Sequence, residues 1–375
     1  MRPKENLIFS FLIIGMFSCN PRNEIHEYPK LIDIEWIDSL EVIEKNEFFN
    51  GSSDVQLIGD SLLAISSFLT PGVWFIELDS GEIKHRIADR DIMNIPLFPA
   101  GIHSFKFPIL QILDPRQNTI FVFDVFQKSL LQKIKLSLPP NKMVKTVDSF
   151  FWVDKDYYYI ELFPSFLNHN ALEFYSEVDE LVGVFDKNGK MESKFLNYPK
   201  ELKELEFHIK PYQTFAQSYN PDYPLKIAFP VSGNVLEFKD ISVSKGIEYS
   251  GIPRKSRFFD FSPARLEKEF NSEFQKHWQV PNSHFFKKIV ENEKYLIIQT
   301  IMRNNDNLEK YEAKSHLFIF DKYNKDWSES SNPVNINRMG YLAGIINEEL
   351  IFFEGSQKIT QEKYIKRAVL KPIED

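Results

Sequence analysis

Short apolar runs recur along most of the chain, and they fall into pairs separated by polar segments. Each run holds four to seven residues, a length typical of β-strands. The six pairs are Leu62–Ser66 with Val73–Leu78, Leu110–Leu113 with Thr119–Phe123, Tyr157–Phe163 with Leu181–Phe185, Leu225–Val231 with Asn234–Phe238, Tyr295–Ile301 with Leu317–Phe320, and Leu350–Phe353 with Tyr364–Leu370. The pattern therefore predicts a repeated unit built on two adjacent strands.

The clearest copy of the unit is Leu181–Phe195, which reads LVGVFDKNGKMESKF. It predicts a strand ending at Asp186, a tight turn on Asn188-Gly189 and a return strand from Met191. An Asn-Gly pair favours this turn because both residues tolerate a positive φ. In the first five pairs the second run commonly ends at or near an acid: Asp79, Asp124, Asp186, Asp240 and Asp321.

Most runs are continuously apolar instead of alternating, which predicts strands covered on both faces. In a β-propeller each blade is packed between two neighbours, so its inner strands are buried on both sides. We therefore predict an all-β chain with a six-bladed β-propeller, seven blades being the second choice. A large β-sandwich remains the alternative. Residues 20–375 divided by six give about 59 residues per unit, which leaves room for insertions.

The two ends of the chain also carry strand patterns. Residues Leu31–Ile43 alternate as a strand with one polar face does, and Tyr364–Leu370 is the last strand candidate. We expect these two strands to lie in one blade and to close the ring.

Two insertions interrupt the pairs. Pro164–Glu180 contains a possible short helix around Asn170–Asp179. Ser262–Trp278 is predicted to be a helix, because Ser262 is a good N-cap and Pro263 suits the first helical position. Its apolar residues recur every four positions and are Leu266, Phe270, Phe274 and Trp278. This stripe is expected to cover a rim or an inter-blade groove, docking of a partner being the alternative.

The composition fits a folded domain and excludes some partners. Hydrophobic residues make up 43% of the chain and aromatic residues 15%, which is ample for a core. The formal net charge of −8 argues against nucleic acid, which requires a clustered basic surface. An anionic membrane surface would repel this body, so membrane association would require an anchor.

The N-terminus predicts such an anchor. Arg2 and Lys4 precede Leu7–Phe17, an apolar run of 11 residues. This run is shorter than the roughly 20 residues that span a bilayer but suits a secretory signal. It ends at Ser18-Cys19, the only cysteine, and resembles a bacterial lipoprotein signal in which Cys19 is lipidated. An ordinary cleaved signal with an incidental cysteine is the alternative.

This pattern divides the chain into a signal peptide (1–18), a tether (19–30) and one propeller domain (31–375). The expected location is the bacterial cell envelope, with the protein held to a membrane by lipid on Cys19. The outer membrane is favoured, and the sequence leaves open the periplasmic side or the cell surface.

No sequence motif assigns a reaction. The eight histidines lack zinc-site spacing; they are His26, His85, His103, His169, His208, His277, His284 and His316. Asp186-Lys187-Asn188-Gly189 resembles the start of a calcium loop but lacks the required downstream acids, so a hairpin turn is the better interpretation. Trp152, Trp278 and Tyr157–Tyr159 are candidates for a sugar platform, although burial in the core is favoured. We predict no catalytic residue, cofactor-binding residue, cofactor or metal ligand.

Together, the signal ending at Ser18-Cys19 and units such as LVGVFDKNGK and LFIFDKYNK resemble the six-bladed-propeller lipoproteins of Bacteroidota-type bacteria, a domain-of-unknown-function family. The resemblance implies an architecture but no site residues. Our first hypothesis is a non-catalytic envelope protein that binds a protein, peptide or glycan on one rim. The alternative is an envelope hydrolase or lyase acting on a sugar or lactone at the mouth of the central channel. A purely structural envelope protein is the third.

Overall fold

The structure is a computed structural model of the chain. It describes residues 28–45, 49–67, 69–88, 97–146, 149–167, 173–204, 215–239, 246–253, 255–258, 285–303, 313–355 and 362–373. Cys19 and the predicted helix Ser262–Trp278 lie outside these residues.

The described strands run from β1 (Lys30–Glu41) to β26. The first two sheets contain β2 (Ser52–Ile58), β3 (Leu62–Ser67), β4 (Gly72–Glu77) and β5 (Ile83–Ile87), then β6 (Gly101–Lys106), β7 (Ile109–Asp114), β8 (Thr119–Asp124) and β9 (Ser129–Lys135). The third contains β10 (Lys142–Val144), β11 (Phe151–Val153), β12 (Tyr157–Pro164), β13 (Val182–Asp186) and β14 (Met191–Phe195). The fourth contains β15 (Ala216–Gln217), β16 (Leu225–Phe229), β17 (Asn234–Phe238) and β18 (Ile247–Gly251).

The last sheet has nine strands. They are β19 (Phe285–Glu291), β20 (Tyr295–Arg303), β21 (Ala313–Asp321), β22 (Asp326–Ser330), β23 (Val334–Asn335), β24 (Tyr341–Ile346), β25 (Glu349–Glu354), β26 (Tyr364–Pro372) and β1. A parallel pairing of β22 with β1 joins two antiparallel sets within it, β19–β22 and β24–β26 with β1. We call the four smaller sheets groups 1 to 4 and these two sets groups 5 and 6.

All six predicted pairs are hairpins. In each group the paired runs form the two inner strands of the sheet, which are β3–β4, β7–β8, β12–β13, β16–β17, β20–β21 and β25–β26. Strands β3, β8 and β16 are buried along their whole length. The inference from continuous apolar runs to two covered faces is therefore confirmed.

The hydrophobic core formed by the described residues is divided into six clusters that lie between consecutive groups. Ile112 and Phe75 belong to the cluster between groups 2 and 1, and Phe286 and Ala228 to the one between groups 5 and 4. The other clusters join groups 2 and 3, groups 3 and 4, and groups 5 and 6. The sixth places Phe353 of group 6 against Trp74 of group 1. Radial packing of this kind is propeller-like and differs from the two stacked layers of a sandwich.

The two ends of the chain meet as expected. Strand β1 pairs antiparallel with β26 from Ile32↔Pro372 to Glu41↔Tyr364, with one irregularity at Trp36–Asp38. The first described strand is thus the outer strand of the last group.

The turn at Asn188-Gly189 differs in detail from the prediction. Gly189 has a positive φ of +82°, whereas Asn188 is not among the positive-φ residues. The turn is instead fixed by the Asp186 carboxylate, whose Oδ1 accepts the backbone N–H groups of Asn188 (2.9 Å) and Lys190 (2.8 Å). These bonds hold the pKa of Asp186 below its usual range. Asp186 is therefore a turn former, and the hairpin interpretation of this segment is confirmed.

The same turn also docks on the neighbouring group. A Cβ on Gly189 would lie 2.2 Å from the Lys135 carbonyl oxygen of group 2. The Ser137 N–H donates to the Gly189 carbonyl at 2.8 Å, and the Ile43 N–H donates likewise to Gly81 at 2.9 Å. A Cβ on Gly81 would lie 2.3 Å from the Glu41 carbonyl oxygen. These glycines are needed for close approach between groups as well as for the turn.

Three short helices complete the described elements: α1 (Phe174–Glu177), α2 (Lys200–Lys203) and α3 (Ile336–Met339). Helix α1 lies within the range predicted for a short helix and buries Phe174 and Tyr175 in the cluster between groups 3 and 4. None of the helices that the structure describes is long and apolar enough to span a membrane.

Candidate functional site

The first strands of the groups surround a common axis. Strand β2 contacts β6, β6 contacts β11, β15 contacts β19, β19 contacts β24, and β24 contacts β2. Strands β11 and β15 are linked by the Gln217 side chain, whose Nε2 donates to the Phe151 carbonyl at 3.0 Å. Residues on these strands thus face one another across a small central space.

A cavity lies on this axis near the beginnings of the first strands, and we call it the strand-start cavity. Its volume is about 40 Å³. Polar lining residues come from different groups: Asp54, Gln217, Tyr219, Lys288, Gln299 and Tyr341. That volume holds about three water molecules, so the cavity admits only a small chemical group.

A second cavity lies near the ends of the same strands, and we call it the strand-end cavity. Its volume is about 270 Å³, close to the lower limit for small-molecule sites. Asp60, Asp222 and Glu291 line it together with Phe105 and Phe107, and its described lining includes no Lys, Arg or His. The two cavities therefore differ in both size and charge.

Lys288 is the central group of the strand-start cavity. Strand β19 carries it, and a register irregularity between Phe286 and Lys288 interrupts the pairing with β20. Its side chain is buried, and its ammonium donates to the Val55 carbonyl oxygen of group 1. The ammonium lies 3.6 Å from Asp54 Oδ1 and 4.2 Å from the centre of the Tyr219 ring. It thus connects strands on different sides of the axis.

Burial lowers the pKa of Lys288 to about 8, because the charged form loses its hydration. Asp54 acts in the opposite direction, and the neighbouring Lys287 lowers the pKa further. Near neutral pH the group is therefore a cation that is easily neutralised, and strongly shifted lysines of this kind are enriched at functional sites.

Asp54 is held in place by its own strand. Its Oδ1 accepts the Val55 N–H at 2.8 Å, and its Oδ2 accepts the Gln56 side-chain N–H at 2.6 Å. Gln56 Nε2 also donates to the Ile102 carbonyl of group 2 at 2.5 Å. The carboxylate is therefore pre-oriented beside Lys288.

The two buried glutamines that line the cavity differ in how many of their side-chain atoms have hydrogen-bond partners. Gln299 donates to Ser315 Oγ (2.8 Å) and to the Gly340 carbonyl (2.9 Å), and it accepts the Leu342 N–H (3.0 Å). Gln217 uses its amide N–H, but its Oε1 has no hydrogen-bond partner within the described residues. Only 4% of Gln217 is exposed, so this acceptor is not satisfied by bulk solvent.

Glu291 of the strand-end cavity belongs to a buried ionic network. Lys226 Nζ lies 2.9 Å from Glu291 Oε1 and 3.2 Å from Glu237 Oε2. Lys322 Nζ lies 2.8 Å from Glu291 Oε2. Because Lys226 and Glu237 come from group 4 and the other two from group 5, the network also joins these groups.

The three histidines that the structure describes, His85, His103 and His316, do not line either cavity. His103 is buried in β6 at 5.7 Å from the Trp152 ring, and burial lowers its pKa to about 3. His316 Nε2 lies 3.3 Å from Glu329 Oε2 in group 5, and burial likewise lowers its pKa. His26, His169, His208, His277 and His284 lie outside the described residues. Across the described ranges no group of three or more His, Cys, Asp or Glu could hold a metal ion.

The proposed sugar platform is not present as an exposed surface in the part that the structure describes. Trp152, Tyr158 and Tyr159 are buried, as the favoured interpretation required, while 37% of Tyr157 is exposed. Trp278 lies outside the described residues.

Sequence reasoning missed the axial residues altogether. Asp54, Gln217 and Lys288 lie on first strands, which are not among the paired apolar runs; β15, for example, has only two residues. A lysine pair flanked by apolar residues, as in FFKKIV, is the one signal that could have pointed to the site, and no sequence-based prediction used it.

The fold is similar to that of a putative exported protein from Bacteroides fragilis, with 11% sequence identity, coverage of 91% of this chain and 96% of that chain, and a TM-score of 0.56. A Bacteroides thetaiotaomicron protein of unknown function has 9% identity, coverage of 90% and 73%, and a TM-score of 0.49. A streptogramin B lyase has 9% identity, coverage of 90% and 98%, and a TM-score of 0.46.

No family model and no curated protein matches the chain. The lipoprotein family named from the sequence therefore stays a prediction, whereas the fold that it implied is supported by the Bacteroides fragilis structure. At these identities a structural match shows the fold alone, and of the three structures only the first has a TM-score above 0.5. The chain is an all-β protein with a β-propeller-like fold.

Proposed function

We propose that the chain is a lipid-anchored cell-envelope protein that binds a protein, peptide or glycan at the axis of a six-bladed β-propeller, without catalysing a reaction. The observation that carries this proposal is the strand-start cavity, which Lys288, Asp54 and Gln217 all line and where the Gln217 side-chain oxygen is unsatisfied. Buried polar groups are normally paired, so an unpaired acceptor beside a cavity favours a ligand or water there.

Six blades are favoured by the core clusters and by the chain ends. Each cluster joins consecutive groups, and the last one joins group 6 to group 1. The outer strand of group 6 comes from the N-terminal part of the chain, as in a ring closed by its own ends. Seven blades would require a further sheet between two groups that already share a cluster.

The proposed division remains a signal peptide (1–18), a tether (19–30) and a propeller domain (31–375). Strand β1 begins at Lys30, close to the proposed end of the tether. The similarity to a putative exported protein adds support for export. The favoured location is the outer membrane, with lipid on Cys19 as the attachment.

The anchor is tested by replacing Cys19 with serine. We expect wild-type protein in the membrane fraction and Cys19→Ser protein in the soluble fraction of cells, because a cysteine thiol is required for lipidation. The measurement is fractionation followed by immunoblotting, with metabolic labelling by a fatty-acid analogue. A Cys19→Ser protein that stays on the membrane would contradict the anchor.

An envelope hydrolase or lyase for a sugar or lactone is the second candidate. It is favoured by Lys288, because a buried lysine with a lowered pKa beside a carboxylate is typical of acid–base sites as well as of binding sites. Catalysis predicts turnover that disappears in Lys288→Met. Binding predicts a ligand that is recovered chemically unchanged.

The binding function is tested with the soluble form, residues 20–375, immobilised and exposed to envelope extract. Captured proteins, peptides and glycans are identified by mass spectrometry. The Gln217→Met variant, immobilised in the same way, is the control bait. We expect species that bind wild type and are depleted on the variant. Equal recovery on both baits would contradict a site at this cavity.

A further inference from the structure

The unsatisfied oxygen of Gln217 is fixed in position by the backbone around it. Its two-residue strand β15 pairs with β16 through Ala216↔Ala228 and Gln217↔Ile227. The amide N–H is used by the Phe151 carbonyl, so the side chain cannot turn over without losing that bond. Oε1 is thereby left as a buried acceptor without a donor, on a residue that lines the cavity.

Lys288 supplies the opposite kind of group in the same cavity. An ammonium has three N–H donors, and its contacts are the Val55 carbonyl, Asp54 and the face of the Tyr219 ring, of which only the carbonyl lies within hydrogen-bond distance. The Asp54 oxygen at 3.6 Å is beyond a normal hydrogen bond. The ammonium therefore retains donor capacity for a ligand atom.

The charges of the lining disfavour an ionic ligand. A cation would meet Lys288 and Lys287, and an anion would meet Asp54. Asp54 is already used by two N–H donors and by the ion pair with Lys288. A hydroxyl group avoids both conflicts, because it donates one hydrogen bond and accepts others.

The size of the cavity limits how much of a ligand enters. A volume of about 40 Å³ accommodates a hydroxyl or hydroxymethyl group but not a whole sugar ring. The remainder of the ligand would lie outside the cavity. Two tyrosines also line the cavity, and the rings of Tyr219 and Tyr341 are contacted by the ammonium groups of Lys288 at 4.2 Å and Lys287 at 5.4 Å.

We propose that the strand-start cavity receives a hydroxyl group from the end of a neutral glycan, which donates to Gln217 Oε1 and accepts from Lys288 Nζ. This rests on the proposed binding function and deepens it by choosing the glycan among its three ligand classes. Bound water is the competing occupant.

The test uses the soluble form and four neutral trisaccharides: maltotriose, cellotriose, laminaritriose and chitotriose. Calorimetry and ligand-observed NMR measure binding to wild type, Gln217→Met and Lys288→Met. Gln111→Met is the matched control, because Gln111 is also buried and its Oε1 also lacks a partner in the described part, yet it does not line the cavity. Thermal melts establish that each variant is folded.

We expect at least one trisaccharide to bind wild type, with affinity about tenfold weaker in Gln217→Met and in Lys288→Met and unchanged in Gln111→Met. If Gln217→Met does not fold, the affinity of Lys288→Met relative to wild type and to Gln111→Met decides the result. Equal binding by all variants would overturn the proposal.

Failure of the glycan and failure of the binding function give different results. If extract peptides or proteins bind in a Gln217-dependent manner while all four trisaccharides fail, the glycan assignment is overturned and the binding function stands. If nothing in extract or panel binds and a crystal structure shows only ordered water between Gln217 and Lys288, both are overturned.

Discussion

Two buried lysines on neighbouring groups are treated very differently by the fold. Lys226 on β16 lies within 3.2 Å of two carboxylates, those of Glu291 and Glu237. Lys288 on β19 lies against a carbonyl oxygen and 3.6 Å from a single carboxylate, beside a cavity. Lys226 therefore joins two groups through paired charges, whereas Lys288 is less fully paired and lines a cavity, where we propose that it contacts a ligand.

The largest expected effect on stability concerns Lys226, whose charge is paired with two carboxylates. Lys226→Met leaves Glu291, which is fully buried, with Lys322 alone, and Glu237 without its buried partner. We expect the free energy of unfolding to fall by about 3–5 kcal/mol, because breaking a buried ion pair strands a charge. Urea denaturation at pH 7 measures it.

The control is Lys239→Met, which removes an exposed lysine 3.5 Å from the same Glu237. Exposed pairs contribute at most about 1 kcal/mol, so this variant should be nearly as stable as wild type. If Lys226→Met lowers the free energy of unfolding by less than about 1 kcal/mol, Lys226 is not a structural charge, and the contrast drawn above between Lys226 and Lys288 is wrong.

Lys288→Met, unlike Lys226→Met, should raise the free energy of unfolding. A pKa lowered from 10.5 to about 8 corresponds to a cost of about 3 kcal/mol for keeping the charge buried at pH 7. Replacing the lysine with an apolar side chain relieves this cost, so we expect a gain of up to about 3 kcal/mol in the same urea experiment. A loss of comparable size would mean that Lys288, like Lys226, is a structural group.

The pH dependence separates the charge of Lys288 from its packing. The unfolded chain binds more protons than the folded one between pH 8 and 10.5, so the contribution of Lys288 to stability is smallest below pH 8 and rises as the pH approaches 10.5. The stability difference between Lys288→Met and wild type should therefore shrink across this interval. Denaturation curves at pH 7, 9 and 10 test this, and a constant difference would contradict it.

The contact between Gly189 and the Lys135 carbonyl involves no side-chain charge, so it serves as a reference for the comparison of the two lysines. Gly189 and Gly59 both have positive φ, +82° and +58°, but only Gly189 has a neighbouring backbone oxygen where a Cβ would be. Gly59→Ala should cost about 1 kcal/mol for conformation alone. Gly189→Ala should cost at least about 1 kcal/mol more, because the Lys135 carbonyl must move. Equal losses of stability in thermal melts would show that the contact between groups 2 and 3 tolerates a Cβ at residue 189.

The predictable part of the fold was the part buried on both faces. Runs such as Ile120–Phe123 are apolar throughout because each is covered by two neighbouring groups, and that requirement appears directly in the sequence. The pairing of β1 with β26 was predictable for a related reason, since a ring needs a last strand and both ends carried strand patterns.

The axis was not predictable, because its residues are ordinary polar ones. Asp54, Gln217 and Lys288 belong to separate groups and are far apart in sequence, so only the packing of the groups around one axis brings them together. Gly189 is a similar case: its turn was predicted, but its contact with Lys135 depends on a neighbouring group. The predicted helix Ser262–Trp278 lies outside the described residues and stays a prediction.

The most direct measurement is the titration of the Lys288 ammonium itself. NMR of lysine Cε and Nζ nuclei in the soluble form, assigned by loss of one signal in Lys288→Met, reports the pKa without any ligand. Burial on an axis enclosed by the first strands predicts a value of about 8. A value near the ordinary 10.5, with the signal of a freely hydrated side chain, would contradict the enclosed site and the function proposed for it.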